Sequence, residues 1–340
     1  MSITRFIVRF AKLCALYLMR TLGMFSLGRY LNRNALVIIC YHGISIRDEH
    51  RFLPALFVSA KTFAKRMRYL AKYHNVLGLE VALKEDESLR HKAVITFDDG
   101  FYNFGLQAVP IMKYYGFPAT VYLSTYYVEH QLPIPYLMAS YLIKRRLSKE
   151  KKENRSSLKS DSRLKYFLEE IKELTSQQKD VALRKLTHEL GVSYDEISES
   201  RMFHLLNPLE VRAYALEGFD FQLHTHRHRN VVDNLESIAA ELMENKERII
   251  ELTGKEPKHF AYPSGRWNKQ AWLQLQKSGV ISAVTMDAGL NYADADHLCL
   301  RRIFDSESNW QVEFEWITCG IKENIYSVVA QFRHLLGVKK

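Results

Sequence analysis

The sequence predicts an α/β fold in which about seven parallel strands alternate with helices and wind into a closed or nearly closed barrel. An open doubly wound sheet is the competing arrangement. Three observations lead there. Short apolar runs of strand length alternate with amphipathic helical patterns. Side chains able to bind metal or move protons fall repeatedly at the C-terminal ends of those runs. One long polar stretch, residues 126–206, interrupts the rhythm as an insertion between two strands would.

Taken in order, "ALVIICYHG" (35–43) reads as a buried strand ending at His42. "SAKTFAKRMRYLAKYH" (59–74) reads as a helix capped by Ser59, with Phe63, Met67 and Leu70 on one face. "KAVITFDDG" (92–100) is the next strand. A helix around 105–115 stops at Gly116, and "PATVYLS" (118–124) follows as a strand. After the insertion come the helix "NPLEVRAYALEG" (207–218) and the strand "FDFQLHTH" (219–226). The helix "LESIAAELMENKERIIELTG" (235–254), the strand "HFAYPSG" (259–265) and the helix "NKQAWLQLQKSG" (268–279) continue the series. The strands "VISAVTMDAG" (280–289) and "LCLRRIF" (298–304) close it. The insertion is rich in Lys, Arg, Glu and Ser and holds helical stretches such as "RLKYFLEEIKELTSQQKDVALRKLTHEL" (163–190).

The chain has 340 residues, 47% of them hydrophobic and 25% charged, the composition of a folded soluble protein whose core needs no disulfides. Cys14, Cys40, Cys299 and Cys319 form no CxxC pair, and a reduced, cytoplasmic setting fits them best. A net charge of +10, concentrated at the N-terminus and in 144–165, suits anionic partners, while no motif supports nucleic acid. In residues 1–34 no uncharged run approaches the roughly 20 residues that span a bilayer, and no signal-peptide centre is clear. Arg5, Arg9, Lys12 and Arg20 fall near one helical face, with Phe6, Phe10, Leu13, Tyr17 and Leu18 over much of the rest. The pattern fits a basic amphipathic helix at an anionic membrane surface, peripheral on the inner membrane, or a helix packed on the body of the protein. The domain reading is thus this helix (1–34), a barrel (35–305) and a C-terminal helical extension (306–340).

The chemistry gathers at strand ends, where parallel β/α architectures build active sites: His42, Asp98, Asp99, His224, His228, Pro263 to Arg266, Asp287 and Arg302. "LHTHRHRN" (223–230) places three histidines close together, and two of them with a carboxylate would make an open metal site. Adjacent acids on an extended strand point in opposite directions, so Asp98 and Asp99 can do different jobs, one on a metal and one on a proton. An acidic turn made possible by Gly100 is the simpler alternative.

"TFDDG" (96–100) together with "HTHRH" (224–228) resembles the paired motifs of the polysaccharide deacetylase family, the NodB-homology domain of carbohydrate esterases. "CYHG" and "FAYPSGRWN" (260–268) extend the resemblance over about 35–305. It implies an irregular (β/α)7-type barrel. It also implies Asp98 as general base and a divalent metal, zinc first, on Asp99, His224 and His228. The implied reaction is metal-assisted removal of an N-acetyl group from a sugar in a glycan, and the basic N-terminal helix without a clear signal peptide points to a lipid-linked or nucleotide-linked precursor.

Two departures matter. The family's Arg-x-Pro-Tyr stretch reads Ala261, Tyr262, Pro263, Ser264 here, and its Leu-x-His histidine is replaced by Arg302, which cannot act as an acid. Arg302 is therefore expected to pair with Asp98, and His42 to supply the acid, with His226 and His297 behind it. Tyr262, Pro263 and Ser264 are expected to touch substrate. Asp287 and Asn291 are expected to line the same mouth or to form the turn beside Gly289, and Tyr102, Trp267 and Tyr292 to stack on sugar rings or simply pack. A deformylase on an amino sugar and a non-catalytic glycan-binding barrel are the alternatives.

Overall fold

Strand alternation decides what faces the centre of the molecule. In a computed structural model describing residues 3–84, 89–152, 160–171 and 174–325, seven parallel strands close on themselves. They are β1 (Val37–Tyr41), β2 (Lys92–Phe97), β3 (Thr120–Leu123), β4 (Asp220–Leu223), β5 (His259–Ala261), β6 (Ser282–Ala288) and β7 (Leu300–Phe304). Closure is made by β1. It pairs with β2 from Val37↔Ala93 to Tyr41↔Phe97, and with β7 through Ile39↔Ile303 and Cys40↔Phe304. A two-residue strand, Asn75–Val76, pairs with the start of β2, and Gly43–Ser45 pairs with Phe57–Ser59 in a separate ribbon.

With a period of two, Leu36, Ile38, Val94, Tyr122, Ala261, Val284 and Leu300 fall inside the barrel as one buried cluster. Residues of opposite parity, among them Val37, Ile39, Tyr41, Ile95 and Phe97, pack outward against the helices in the main core. Both faces are buried, which is why the strands read as near-continuous apolar runs. Continued toward the strand ends, the inner parity carries Cys40, Thr96, Asp98, His224 and Arg302.

The described residues of the N-terminal segment form two helices, α1 (Ile3–Thr21) and α2 (Met24–Leu31), where the sequence reading had one over 1–34. Gly23, with φ 78°, makes the break, and the two axes bend by 72°. The insertion carries α3 (Pro135–Lys152), α4 (Ser160–Ile171) and α5 (Ser176–Glu189). Beyond it, Asn207 caps Pro208–Leu216 in a reciprocal box with Glu210. Helix α6 (Ile238–Thr253) backs the β4–β5 connection, and α7 (Gln311–Thr318) follows β7. Of the expected C-terminal extension, residues 326–340 lie outside the described residues.

Candidate active site

Strand β2 ends at Phe97, and the next three residues turn sharply. Asp99 and Gly100 both take left-handed backbone, at φ 67° and 85°. A side chain at Gly100 would collide with Leu123, so this position needs glycine for both conformation and space. Across the mouth, Thr225 and His228 are also left-handed, at φ 57° each. Such backbone costs free energy at non-glycine residues and persists where surrounding bonds fix it. Here Asn245 of α6 accepts the His224 backbone N–H at 2.9 Å and donates to Leu123 O (2.9 Å) and Thr125 Oγ1 (3.0 Å), tying β3 to β4.

The His224 ring has a fixed tautomer. Its Nδ1 lies 2.8 Å from the Ala261 carbonyl, which can only accept, so Nδ1 carries the proton and Nε2 presents a lone pair. That Nε2 lies 3.3 Å from Asp99 Oδ1, and His228 Nε2 lies 3.2 Å from the same oxygen. Burial opposes charge on both Asp99 and His228. Their mutual attraction wins, holding the carboxyl well below its usual range and raising the imidazole. Even so, Asp99 Oδ1 is buried without a well-formed hydrogen bond. A lone pair facing an unsatisfied carboxylate oxygen, with a second ring nitrogen beside it, is a donor set that a divalent cation would satisfy. The three ligand atoms lie within 4.8 Å of one another.

Asp98 points into the barrel and meets Arg302 from β7. Both guanidinium nitrogens donate to it, Nη1 to Oδ1 and Nη2 to Oδ2, each at 2.7 Å. Arg302 is itself held by donation from Nε to Thr285 O at 2.8 Å. Burial raises the Asp98 carboxyl, and Arg302 more than reverses this, holding it at about 2. The Cys40 thiol approaches Asp98 Oδ2 at 3.6 Å, and burial raises its pKa far above the usual thiol range. His42 stands at the end of β1, its ring edge-on to Phe304, with Nδ1 buried and unpartnered. Burial lowers its pKa, and Asp98 and Asp99 partly offset that.

A cavity of about 130 Å³ opens onto the site, lined by Asp99, Ser124, Tyr127, Ile134, Tyr136, Leu205, Arg227 and His228. Ile134, Tyr136 and Leu205 come from the insertion, which therefore forms one wall. The sequence reading missed these residues and Asn245. Asn245, recurring at helical spacing with Ile238, Leu242, Ile249 and Leu252, was the available signal, and Glu241 shares that buried face.

The other expected site residues divide. Pro263 is buried and Ser264 exposed at the end of β5, on the same rim. Asp287 is exposed and accepts from Trp267 Nε1 at 2.9 Å. Tyr262 does not face the site. Its parity points it outward, where its hydroxyl donates to Leu298 O at 2.8 Å. Asn291 also lies elsewhere, because the chain after β6 runs back to bridge Leu36, at the N-terminal end of β1. Its amide there bonds Arg301 and Leu36. His297 lines a cavity at that same far end, with Leu36, Lys92 and Leu300, out of reach of Asp98. His226 turns from the metal-ligand cluster toward Thr125 Oγ1 (2.8 Å) and Glu244 (3.5 Å). Tyr102 is covered by Arg201, and Tyr292 donates to Asn32.

The solved structures this chain resembles are deacetylases at low identity, a likeness of fold. The Streptococcus pyogenes deacetylase PplD in complex with acetate shares 17% identity at a TM-score of 0.58, over 84% of this chain and 99% of that one. IcaB from Ammonifex degensii shares 16% at 0.55, over 84% and 97%. A de-N-acetylase from Aggregatibacter actinomycetemcomitans shares 14% at 0.54, over 83% and 99%. No match to a curated protein reaches significance. Residues 86–282, more than half of the chain and including both the TFDDG and HTHRH stretches, match the family model described as polysaccharide deacetylase. The chain belongs to the polysaccharide deacetylase family.

Proposed function

We propose that this chain is a divalent-metal-dependent amide hydrolase that removes the N-acetyl group from a sugar. Its expected ion is zinc, and its substrate is a glycan or a lipid-linked or nucleotide-linked precursor. One observation carries the reading: the Arg302-gripped Asp98 stands beside Asp99, whose unsatisfied oxygen faces two ring nitrogens, at the open end of the barrel.

Asp99, His224 and His228 would hold the ion. When bound, it supplies Lewis-acid polarisation of the amide carbonyl and makes water more acidic. Asp98 takes one proton from the attacking water. Its ionised form is guaranteed near neutral pH by Arg302, which also fixes the direction of its lone pairs. As the new C–O bond forms and the C–N bond breaks, the departing amine nitrogen needs a proton. His42, whose ring lies beside Asp98, is the residue we assign to pass on to that nitrogen the proton Asp98 has taken from water. Ser264 and Asp287, on the rim, are the polar groups assigned to the sugar.

The test is metal content together with acid release. Purified wild type should hold about one zinc per chain, lost in Asp99→Ala and His228→Ala but retained in Asp98→Asn. Acetate should be released from an N-acetylated oligosaccharide by wild type alone. Formate release from an N-formyl sugar without acetate release would assign the deformylase. Wild type that takes up no zinc and yields neither acid would leave a glycan-binding barrel. Undiminished turnover by His42→Gln would remove His42 from the reaction.

A further inference from the structure

The N-terminal helices dock on α7 and the residues after it through only part of their apolar surface. Leu13 and Leu16 of α1 and Phe25 of α2 are buried against Val312, Cys319 and Ile321. At Gly28, even a Cβ would sit 2.9 Å from Cys319 O, so α2 makes its close approach through a glycine. Lys12, Arg20 and Arg9 of α1 turn to the same side. Lys12 pairs with Glu313 at 2.7 Å, Arg20 with Glu315 at 3.3 Å, and Arg9 donates to Ser308 O at 2.8 Å. The sequence reading left these cations either at a lipid surface or on a helix packed against the body. In the structure they flank the seam between α1 and the body, with Lys12 and Arg20 each 49% exposed.

What remains outward is apolar. Ile7, Ala11, Cys14, Leu18 and Leu22 recur at helical spacing, forming a single stripe. Tyr17 lies along its edge, and Leu27, Tyr30 and Leu31 of α2 continue it. The large side chains among these are 45% to 70% exposed. Isolated exposed apolar residues are ordinary, but a contiguous patch of this kind marks an interaction surface.

We propose that this stripe inserts shallowly into the interfacial layer of an anionic lipid bilayer, with the α1–α2 pair lying in the membrane plane. No single described helix is long and apolar enough to cross a membrane, and the 72° bend prevents α1 and α2 from acting as one straight span. The chemistry around the stripe fits lipid headgroups. No acidic residue precedes Asp48 in the sequence, and the half-exposed Lys12 and Arg20 lie beside the stripe where phosphates would sit. Tyr17 and Tyr30 offer the amphipathic rings favoured at that depth. The apolar side chains drive insertion, and the cations, already partnered, add selectivity for negative charge. Arg9 reaches Ser308 just beyond the end of β7, so the stripe runs up to the catalytic end of the barrel. This inference is independent of the reaction assigned to the site.

The test uses the full chain and sedimentation with vesicles of phosphatidylcholine containing about one-third phosphatidylglycerol. Cys14 is exposed, whereas Cys40 and Cys319 are buried, so in a Cys299→Ser background it accepts an environment-sensitive fluorophore on the stripe itself. The expected result is vesicle binding that raising salt to about 0.5 M weakens only a few-fold. The probe should shift to the blue and be quenched by bilayer-borne nitroxides. Ile7→Ser/Leu18→Ser/Leu22→Ser should bind about tenfold or more weakly with unchanged thermal melting. The proposal is overturned by absence of vesicle binding, by equal binding of the triple variant, or by complete loss of binding in salt. A vesicle-free blue shift with the chain running as a dimer would also overturn it, since a second copy would then cover the stripe.

Discussion

Asp98 and Arg302 are separated by 204 residues in sequence and joined by two 2.7 Å hydrogen bonds inside the barrel. A bidentate buried pair of this kind fixes the carboxylate's direction, and its loss is costly because one charge is then left unpaired. Arg302→Met should destabilise the protein by about 3–5 kcal/mol in urea titrations at neutral pH. The double variant Asp98→Asn/Arg302→Met should recover part of that loss. The sign of the pH dependence follows from the shift. The folded Asp98 pKa of about 2 lies below the ordinary carboxylate value of 3.8, so the pair's contribution is complete above 3.8 and lost as pH falls through 2. In Arg302→Met the largest lowering cause is gone and burial, which raises the carboxyl, is opposed only by His224 and His42, so this group's loss of stability on acidification should shrink. In turnover, Asp98→Asn should cost about 10²- to 10⁴-fold in kcat while leaving zinc content unchanged.

At the level of elements, one side chain of α6 organises the loop that carries the proposed ligands His224 and His228. Asn245 joins His224 N–H, Leu123 O and Thr125 Oγ1, and it is fully buried. Asn245→Leu removes the side-chain partner of the buried His224 N–H and Leu123 O and leaves Thr125 Oγ1 with His226 alone. Zinc affinity, measured by competition with a chelator, should fall about 10- to 100-fold. Thermal melting should fall too, because each orphaned group costs about 1–3 kcal/mol. The insertion acts on the opposite wall. Tyr136 and Ile134 line the cavity over Asp99 without touching Asp98 or Arg302. Tyr136→Ala should therefore raise KM for an N-acetylated oligosaccharide more than it lowers kcat, and leave zinc binding intact. An equal fall in kcat and kcat/KM would instead mean that the insertion acts in the transition state.

For the whole molecule, burial of neutral histidines away from the metal-ligand cluster sets the acid limit of stability. His74, His204 and His259 are each lowered to about 4, chiefly by burial. Each binds its proton more readily unfolded than folded, so stability is fully present above the ordinary imidazole value of 6.5. It is lost as pH falls toward about 4. Urea midpoints should drop steadily from about pH 7 to about pH 4.5. His259→Asn, which removes one titrating ring packed against Ser282, should flatten that slope. An unchanged slope would mean that the histidines do not govern acid unfolding.

The strand–helix rhythm, the caps at Ser59 and Asn207, and the placement of Asp98, Asp99, His224 and His228 at strand ends were legible because they depend on residues close together in sequence. Period-two alternation and local capping are short-range physics. Closure of the barrel, and with it the meeting of β7 with β2 across β1, is a long-range event that brings Arg302 onto Asp98. Tyr262 and Asn291 were misread for the same reason. One residue of parity turns a side chain outward, and a reversal after β6 carries a rim residue to the far end. The N-terminal segment shows the division most plainly. Its amphipathic pattern was written in the sequence, but Val312, Cys319 and Ile321, with Glu313 and Glu315 beside them three hundred residues away, fixed which face turned to the body and which was left exposed. Sequence alone determined which residues could do the chemistry. Packing determined which of them meet, because burial and charge pairing are properties of neighbours in space.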